Sequence, residues 1–437
     1  MKIHKLKIKF MYKKIILPNG LRLILVPNQN TKAVTVMILV GAGSKYETKN
    51  TNGVSHFLEH LLFKGTKKRP TALKISETLD KVGGIYNAFT SKELTGYFAK
   101  VDASHWALAF DWVSDIFLHS VLPSKEIERE RGVILEEINM MLDTPMRYIG
   151  ELWERLLYGD QPAGWDIIGT KENILRLQRK NFIDYLKGHY SSHNTVVAVA
   201  GNFPVGRIEE EVRKSFRGIN KAVPAKKVKT KEQQTEPRIL VHHKQTDQTH
   251  LCLGVRALNT FHPKKYVQEI LAVILGGNMS SRLFTEVREK RGLAYYIHTS
   301  AEDYADSGFL MTQAGVPNQK AAQAIKVILK EYQKIKERGV SIAELQKAKD
   351  YLKGVLVLSL EASDAQAMFF AGQELLENKI LTLEEKCAKI DKVRVGDIKQ
   401  LAVEIFQPAK LNLAILGPHE EKENFEKLLR AGCKAIS

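Results

Sequence analysis

Hydrophobic positions that alternate along short segments predict five strands in the first hundred residues. Two apolar runs flank Asn19-Gly20, a dipeptide that favours tight hairpin turns, and they predict a hairpin over 13–27. The β-branched run 33–40 and the segments 85–90 and 94–101 predict the other three strands. Apolar residues at helical spacing then predict helices at 72–82, 104–119, 124–142, 149–158, 171–177 and 179–189.

The second half of the chain repeats this plan. Strands are predicted at 239–242, 250–256, 294–301 and 309–315, and helices at 264–275, at 280–290 and through 319–377. Each half ends on an apolar strand followed by glycine, at 195–201 and 411–417. The Lys-rich segment 221–234 has almost no large apolar residues and is typical of a linker. The pattern therefore predicts an internal duplication, with domains at 1–220 and 235–437 joined by that linker.

The predicted fold class is α+β. Two homologous halves resembling α/β sandwiches are expected, each with a mainly antiparallel sheet packed with helices. At 437 residues the chain exceeds the size at which a single hydrophobic core stops growing, which agrees with two domains.

Composition places the chain among ordinary globular proteins, with 44% hydrophobic and 26% charged residues. The formal net charge of +17 suggests contact with anionic partners. Lys and Arg are spread along the whole chain, however, with local concentrations only at 1–14 and 221–231. This distribution favours a basic solvated surface, and no nucleic-acid partner is expected.

The three cysteines, Cys252, Cys387 and Cys433, are widely spaced and odd in number, so they predict no disulfide framework and fit a reducing compartment. The first ten residues alternate Lys with apolar residues, unlike a secretory signal. No apolar run approaches the roughly 18 residues of a membrane span. We therefore expect a cytoplasmic protein with no membrane partner.

One segment, 53–66, contains three side chains suited to metal chemistry. His56 and His60 are four positions apart, so at about 100° per residue both imidazoles leave one face of a helix. Glu59 falls beside them, within reach of a water held at the two histidines. Two histidines leave an open coordination position and the carboxylate supplies a base, as hydrolytic zinc chemistry requires. The order His-x-x-Glu-His is the inverzincin signature, although these residue types also occur on ordinary solvated helices.

A third protein ligand is still needed, and a carboxylate from a second helix is the usual supplement in zinc hydrolases. The acidic helix over 126–139 offers Glu130, Glu136 and Glu137. Glu130 and Glu137 are seven positions apart and share a face, while Glu136 points about 100° away from Glu137. Simple solvation also accounts for an acidic helix, so the residues alone leave the ligand open.

Motifs from about Tyr12 to Leu416 resemble those of the pitrilysin and mitochondrial processing peptidase family. They occur in family order, and they comprise the whole run 53–66, Asn87-Ala-Phe-Thr-Ser-Lys-Glu93, Val133-Ile-Leu-Glu-Glu-Ile138, Gly159-Asp-Gln-Pro162, Gly169-Thr170, Ser280-Ser-Arg-Leu-Phe284 and Arg288-Glu-Lys-Arg-Gly-Leu-Ala-Tyr295. The resemblance implies a zinc metalloendopeptidase that acts on peptides or unfolded polypeptide segments.

The resemblance selects Glu137, 77 positions beyond His60, as the third zinc ligand beside His56 and His60. It also implies that Glu59 is the general base and that Glu130 is a nearby carboxylate that assists catalysis. Because the second half has no His-x-x-Glu-His, one zinc per chain is expected.

Two further elements are implied as substrate-binding by the resemblance. Asn87, Ala88 and Phe89 match the family's edge strand, to which a peptide adds as one more strand through main-chain hydrogen bonds. Arg288 and Tyr295 match an Arg/Tyr pair that binds substrate near the scissile bond, and both can donate hydrogen bonds to a carbonyl or oxyanion.

Long relatives in the family join two such units to enclose a clam-like chamber, whereas this chain has the length of one unit. A homodimer or a heterodimer with a related chain is therefore expected to complete the chamber. The alternative is a non-catalytic core or scaffold subunit, since inactive family members serve in hetero-oligomers. Such members typically lose a ligand or the base, whereas this chain retains His56, Glu59, His60 and Glu137.

Overall fold

The computed structural model describes residues 12–436, with side chains through 432. The basic concentration at 1–14 therefore lies mostly outside the described residues, as does the side chain of Cys433. The strands are β1 (Lys13–Ile16), β2 (Arg22–Pro27), β3 (Ala33–Val40), β4 (Ile85–Thr90), β5 (Thr95–Asp102), β6 (Thr195–Gly201), β7 (Arg238–His243), β8 (Gln248–Arg256), β9 (Tyr296–Asp303), β10 (Gly308–Pro317) and β11 (Leu411–Gly417). The helices are α1 (Val54–Leu61), α2 (Ala72–Asp80), α3 (Trp106–His119), α4 (Ser124–Leu142), α5 (Pro145–Tyr158), α6 (Lys171–Arg176), α7 (Arg179–His189), α8 (Val205–Ser215), α9 (Lys265–Gly276), α10 (Ala321–Arg338), α11 (Ile342–Ser359), α12 (Ser363–Glu377), α13 (Leu383–Asp391), α14 (Val395–Ile405) and α15 (Lys422–Ile436).

The described strands form two mixed sheets with corresponding topologies. The first has the order β1-β2-β6-β3-β5-β4, and the second has the order β7-β11-β8-β10-β9. The parallel pair β2–β6 corresponds to the parallel pair β7–β11, and the remaining pairings in both sheets are antiparallel. Apart from the added β1, each strand of one sheet has a counterpart in the other. This agreement supports the duplication and confirms the α+β class.

Contacts divide the chain into two compact units, each built from separated stretches of sequence. The first contains the described residues up to Leu135 together with Ile167–Lys227 and Leu356–Glu385, and the second contains Glu136–Asp166, Val228–Val355 and the described residues from Lys386. The sequence-based division at the linker 221–234 does not describe this arrangement, because α5 belongs to the second unit and α12 to the first. Between α8 and β7 the chain forms no helix or strand.

In the first unit, α12 covers one face of the sheet. Phe370 and its neighbours Ala367 and Ala371 pack against alternate residues of the central strands, which include Met37 and Leu39 of β3. The apolar run of β6 is buried along its whole length, as expected for a strand whose two faces are both covered.

In the second unit, α5 has the corresponding place. Ile149, Leu152 and Trp153 pack against Cys252 of β8 and against alternate residues of β10 and β11. The opposite face packs on helices that include α9, α10 and α14. Burial on both faces again explains why β11 is buried throughout.

Replacing Phe370 with alanine should destabilise the first unit by about 3–5 kcal/mol, since the ring is fully buried and its removal leaves a cavity. Phe369 is only half-buried on the same helix, so Phe369→Ala should have a smaller effect. Denaturant unfolding of both variants measures the difference. Equal losses of stability would contradict the position assigned to α12.

Our sequence interpretation omits α8 and α15, although both are amphipathic. It predicts a regular helix over 280–290, where the structure has a π-helical segment, Phe284–Glu289. Within residues 12–436, no single helix is long and apolar enough to cross a membrane. The pair α11 and α12, bent by 112°, meets that criterion jointly, by length and composition only.

Candidate metal centre

The helix α1 is anchored at its N-terminus by a buried carboxylate. Glu47 accepts hydrogen bonds from the backbone N–H groups of Gly53 and Ser55, each at 2.8 Å, and from Asn52 Nδ2 at 2.9 Å. Burial raises the pKa of Glu47, and these hydrogen bonds oppose that shift. Gly53 has φ +100°, and a Cβ there would lie 2.8 Å from the carbonyl oxygen of Ile168. The turn before the helix therefore requires glycine.

His56 and His60 lie on one face of α1, as the spacing predicts. Their ring centroids are 4.8 Å apart, with an angle of 63° between the ring planes. Burial, with the adjacent His60 as a smaller cause, lowers the pKa of His56 to about 3. The imidazole of His56 is therefore neutral near pH 7, the form in which it can bind a metal.

Glu137 completes a group of three with the two histidines. One ligand atom from each of His56, His60 and Glu137 lies within 4.8 Å of the others. Glu130 and Glu137 lie on the same continuous helix, α4. The division between the two compact units falls between them, after Leu135. Tetrahedral zinc with bonds of about 2.0–2.2 Å suits two imidazole nitrogens and one carboxylate oxygen. The donor set fits zinc after small side-chain rotations.

Glu130 contacts His60 rather than completing that group. Its Oε2 lies 3.2 Å from His60 Nδ1, and its Oε1 lies 2.7 Å from Lys64 Nζ. Because a carboxylate accepts, Nδ1–H of His60 donates and the lone pair of its Nε2 is directed away from Glu130. Burial acts to raise the pKa of Glu130, but the hydrogen bonds from His60 and Lys64 outweigh it, and the pKa lies below its ordinary value. Glu130 is thus a charged group that orients His60.

Glu130→Gln should weaken zinc binding by about 10- to 100-fold, because partners that orient metal-binding histidines typically have effects of that size. The amide can still accept from His60, but it lacks the charge that holds the imidazole and Lys64. Competition with a calibrated chelator measures the affinity. Glu136 is exposed on the same helix, so Glu136→Gln is the matched control. Unchanged zinc affinity in Glu130→Gln would exclude an orienting role.

Glu59 lies against the end of β4. The hydroxyl of Thr90 donates to Glu59 Oε2 at 2.5 Å. This contact fixes the orientation of the carboxylate beside the two histidines. It also joins the candidate base to the strand that the sequence predicts as a substrate-binding edge.

β4 is at the edge of the first sheet, since it pairs with β5 alone. Asn87 is exposed, Ala88 is buried and Phe89 is half-buried. Asn87 Oδ1 accepts a hydrogen bond from the backbone N–H of Ala88 at 2.9 Å. The predicted edge position is therefore present, while peptide binding there stays a prediction.

Arg288 and Tyr295 both belong to the second unit. Arg288 lies in the π-helical segment, with its Cζ 4.9 Å from the ring centroid of Phe284. Tyr295 directly precedes the edge strand β9, and its side chain is 73% exposed. Its backbone N–H donates to the carbonyl of Gly315 at 2.9 Å. The phenol is accessible to a ligand, and its predicted role in substrate binding stays a prediction.

Sequence reasoning missed three side chains around the metal group: Glu47, Lys64 and Thr90. Lys64 and Thr90 lie within motifs that carry the family resemblance, so inspection of those motifs could have suggested them. Glu47 lies outside these motifs, and its capping of α1 is visible only in three dimensions.

Comparison with known proteins agrees with this geometry. Residues 22–171 match the model of the insulinase family, peptidase family M16, and residues 176–352 match that of the peptidase M16 inactive domain. An uncharacterized zinc protease of Bacillus subtilis is 36% identical over 408 residues, covering 93% of this chain and 98% of that protein.

Two solved structures extend the comparison. A protease from Helicobacter pylori superimposes with a TM-score of 0.88 at 26% identity, covering 93% of this chain and 99% of that one. A chain of complex III2 from Candida albicans has the same fold, with a TM-score of 0.82 at 18% identity, covering 95% of this chain and 99% of that one. The matched models and the full-length relative lead to one conclusion: this chain belongs to peptidase family M16.

Proposed function

We propose that this protein is a zinc-dependent metalloendopeptidase that hydrolyses peptide bonds in peptides or unfolded segments. The observation that carries the proposal is the convergence of His56, His60 and Glu137, with Glu59 on the same helix as the two histidines. One zinc per chain would be held by those three side chains.

When bound, zinc supplies Lewis acidity, which lowers the pKa of water and polarises a carbonyl. Glu59 takes the proton from the attacking water and passes it to the leaving amine. Thr90 holds Oε2 of Glu59, which keeps the base in one orientation during that transfer. Glu130 stays ionised through its contacts with Lys64 and His60, and so keeps the His60 ring in place.

Substrate binding follows from the edge strand. An extended peptide can add to β4 through main-chain hydrogen bonds, which is sequence-tolerant and requires an unfolded segment. Since Thr90 at the end of β4 contacts Glu59, a peptide on this edge lies close to the base. Arg288 and Tyr295 would donate to the substrate carbonyl or its oxyanion.

The assembly is proposed as a homodimer or a heterodimer with a related chain, enclosing a chamber in the cytoplasm. The second candidate function is a non-catalytic subunit of a hetero-oligomer, and the fold is shared with a chain that is part of the complex III2 assembly. The intact set of His56, Glu59, His60 and Glu137 favours the enzyme, because a scaffold has no need of a base beside three donors.

Incubation of the purified protein with a mixed peptide library tests the proposal. We expect internal cleavage of peptides, its loss with a chelator, its return with zinc, and no cleavage of a stably folded globular protein. An absence of cleavage by zinc-loaded protein would favour the non-catalytic subunit. Cleavage of the folded protein without prior unfolding would contradict the edge-strand binding mode.

A further inference from the structure

A cavity with a strongly basic lining lies within the second unit, outside the metal centre. Its volume is about 410 Å³, and its lining includes Arg256, Arg238, Lys229 and Lys231. Asp160 is the single carboxylate residue of that lining, and its Oδ1 accepts a hydrogen bond from Trp165 Nε1 at 2.9 Å. The cavity therefore has four cationic side chains against one carboxylate.

Arg256, the last residue of β8, is the most informative of the four. Only 7% of it is exposed, yet among the described residues its Nε and Nη1 have no hydrogen-bond partner. Its Cζ lies 5.5 Å from the ring centroid of Tyr158, which interacts with the guanidinium through the π face. A buried guanidinium with unpaired N–H donors is costly, because arginine does not deprotonate and its donors lose their hydration.

The charge of Arg256 is incompletely balanced by the chain itself. Burial lowers the pKa of Arg256, and Glu232 opposes this shift, but Nε and Nη1 of Arg256 have no hydrogen-bond partner among the described residues. Glu232 is exposed in the linker. The linker carboxylate therefore acts at a distance and leaves the donors of Arg256 unsatisfied.

The linker forms one wall of the cavity and is tied to it by polar contacts. The backbone N–H of Lys231 donates to Gln161 Oε1 at 2.9 Å, and Gln161 Nε2 donates back to the carbonyl of Lys231 at 3.1 Å. The backbone N–H of Thr230 donates to Asp306 Oδ2 at 2.9 Å. These contacts hold Lys229 and Lys231 beside the cavity, and the Asp306 carboxylate is engaged by Thr230.

We propose that this cavity binds a small anion of the phosphate class, with the buried Arg256 guanidinium as its central positive charge. A phosphoryl group presents several acceptor oxygens and a double charge, which match a guanidinium surrounded by three further cations. The source is either free inorganic phosphate or the phosphoryl group of a small metabolite. The site is independent of peptide hydrolysis and uses no residue of the metal centre.

Thermal unfolding and calorimetric titration of the full-length protein test the proposal, with inorganic phosphate, pyrophosphate, a sugar phosphate and acetate as separate probes. We expect a saturable rise in Tm with the phosphate-class probes and none with acetate at equal ionic strength. Tighter binding of the sugar phosphate than of inorganic phosphate would identify a metabolite as the source, and the reverse would identify the free ion.

Arg256→Met should weaken phosphate binding by about 10- to 100-fold, as expected for loss of a charged group beside the anion. In phosphate-free buffer it should unfold at the wild-type temperature or higher, because the buried unpaired charge is gone. Arg338→Gln, an exposed arginine elsewhere in the second unit, is the control for net charge and should bind phosphate normally. Absence of a phosphate-dependent Tm shift in the wild type would overturn the proposal. So would a loss of stability in both Arg256→Met and Glu232→Gln in phosphate-free buffer, because Glu232 would then be the counter-ion.

Discussion

Glu59→Gln should bind zinc as the wild type does and lose peptide hydrolysis by about 100- to 10,000-fold, the usual contribution of a positioned general base. The amide has nearly the size of the carboxylate and can still accept the hydrogen bond from Thr90. It cannot take a proton from water at neutral pH, so the chemical step fails while the site stays assembled. Turnover of a fluorogenic peptide and metal analysis of the same samples measure the two properties separately.

The control for this variant is Thr90→Val, which keeps the volume of the side chain and removes the hydroxyl that donates to Glu59. It should retain zinc and show a smaller loss of turnover, because the base is present but less well oriented. Wild-type turnover in Glu59→Gln would exclude Glu59 as the base. Loss of zinc in that variant would instead give Glu59 a part in holding the metal.

Arg288→Ala and Tyr295→Phe should each reduce turnover by about 100- to 1,000-fold while zinc content and folding are retained, as observed when one preorganised oxyanion donor is removed. Tyr295→Phe removes a hydroxyl from a side chain that is 73% exposed, so no loss of stability accompanies it. A fall in kcat with little change in KM would indicate a contact formed in the transition state.

Arg291→Ala is the matched control for the second unit. Arg291 is exposed near Arg288 in sequence, and its guanidinium pairs with Glu286. It should leave turnover close to the wild-type value. Wild-type turnover in both Arg288→Ala and Tyr295→Phe would remove these two side chains from the chemistry and restrict the active site to α1, α4 and β4.

Deleting the chain after the linker is a poor test of the same question. Such a fragment would lack α12, whose Phe370 is fully buried against the first sheet. It would expose the face formed by Met37, Leu39 and their neighbours to water, at a cost of about 25 cal/mol per Å² of apolar surface. Loss of activity in the fragment would report unfolding of the first unit, so point substitutions in the full-length chain are required.

The strands and the helix α1 could be predicted from the sequence because their signals are local. The Asn19-Gly20 turn and the alternation around it give the β1–β2 hairpin, whose register pairs Ile16 with Arg22. The four-residue spacing of His56 and His60 places both on one face of α1 whatever the rest of the fold does. Helical periodicity also gives the shared face of Glu130 and Glu137.

The assignment of α5 to the second unit and of α12 to the first could not be predicted from the sequence. Periodicity shows that a helix has an apolar face but not which sheet that face packs against. The continuous apolar runs of β6 and β11 indicate two covered faces without naming the helices that cover them. The contacts of Glu130 with Lys64 and of Thr90 with Glu59 join residues that are distant in sequence. Only the three-dimensional positions of Glu130 and Glu137 distinguish the carboxylate that orients His60 from the candidate metal ligand.

Titration of zinc into chelator-treated protein, with bound metal and peptide turnover followed in the same samples, tests whether one bound zinc is responsible for peptide hydrolysis. We expect turnover to be absent without metal, to rise in proportion to bound zinc and to reach its maximum at one zinc per chain. Turnover that persists in metal-free protein, or that stays absent at one bound zinc per chain, would contradict it.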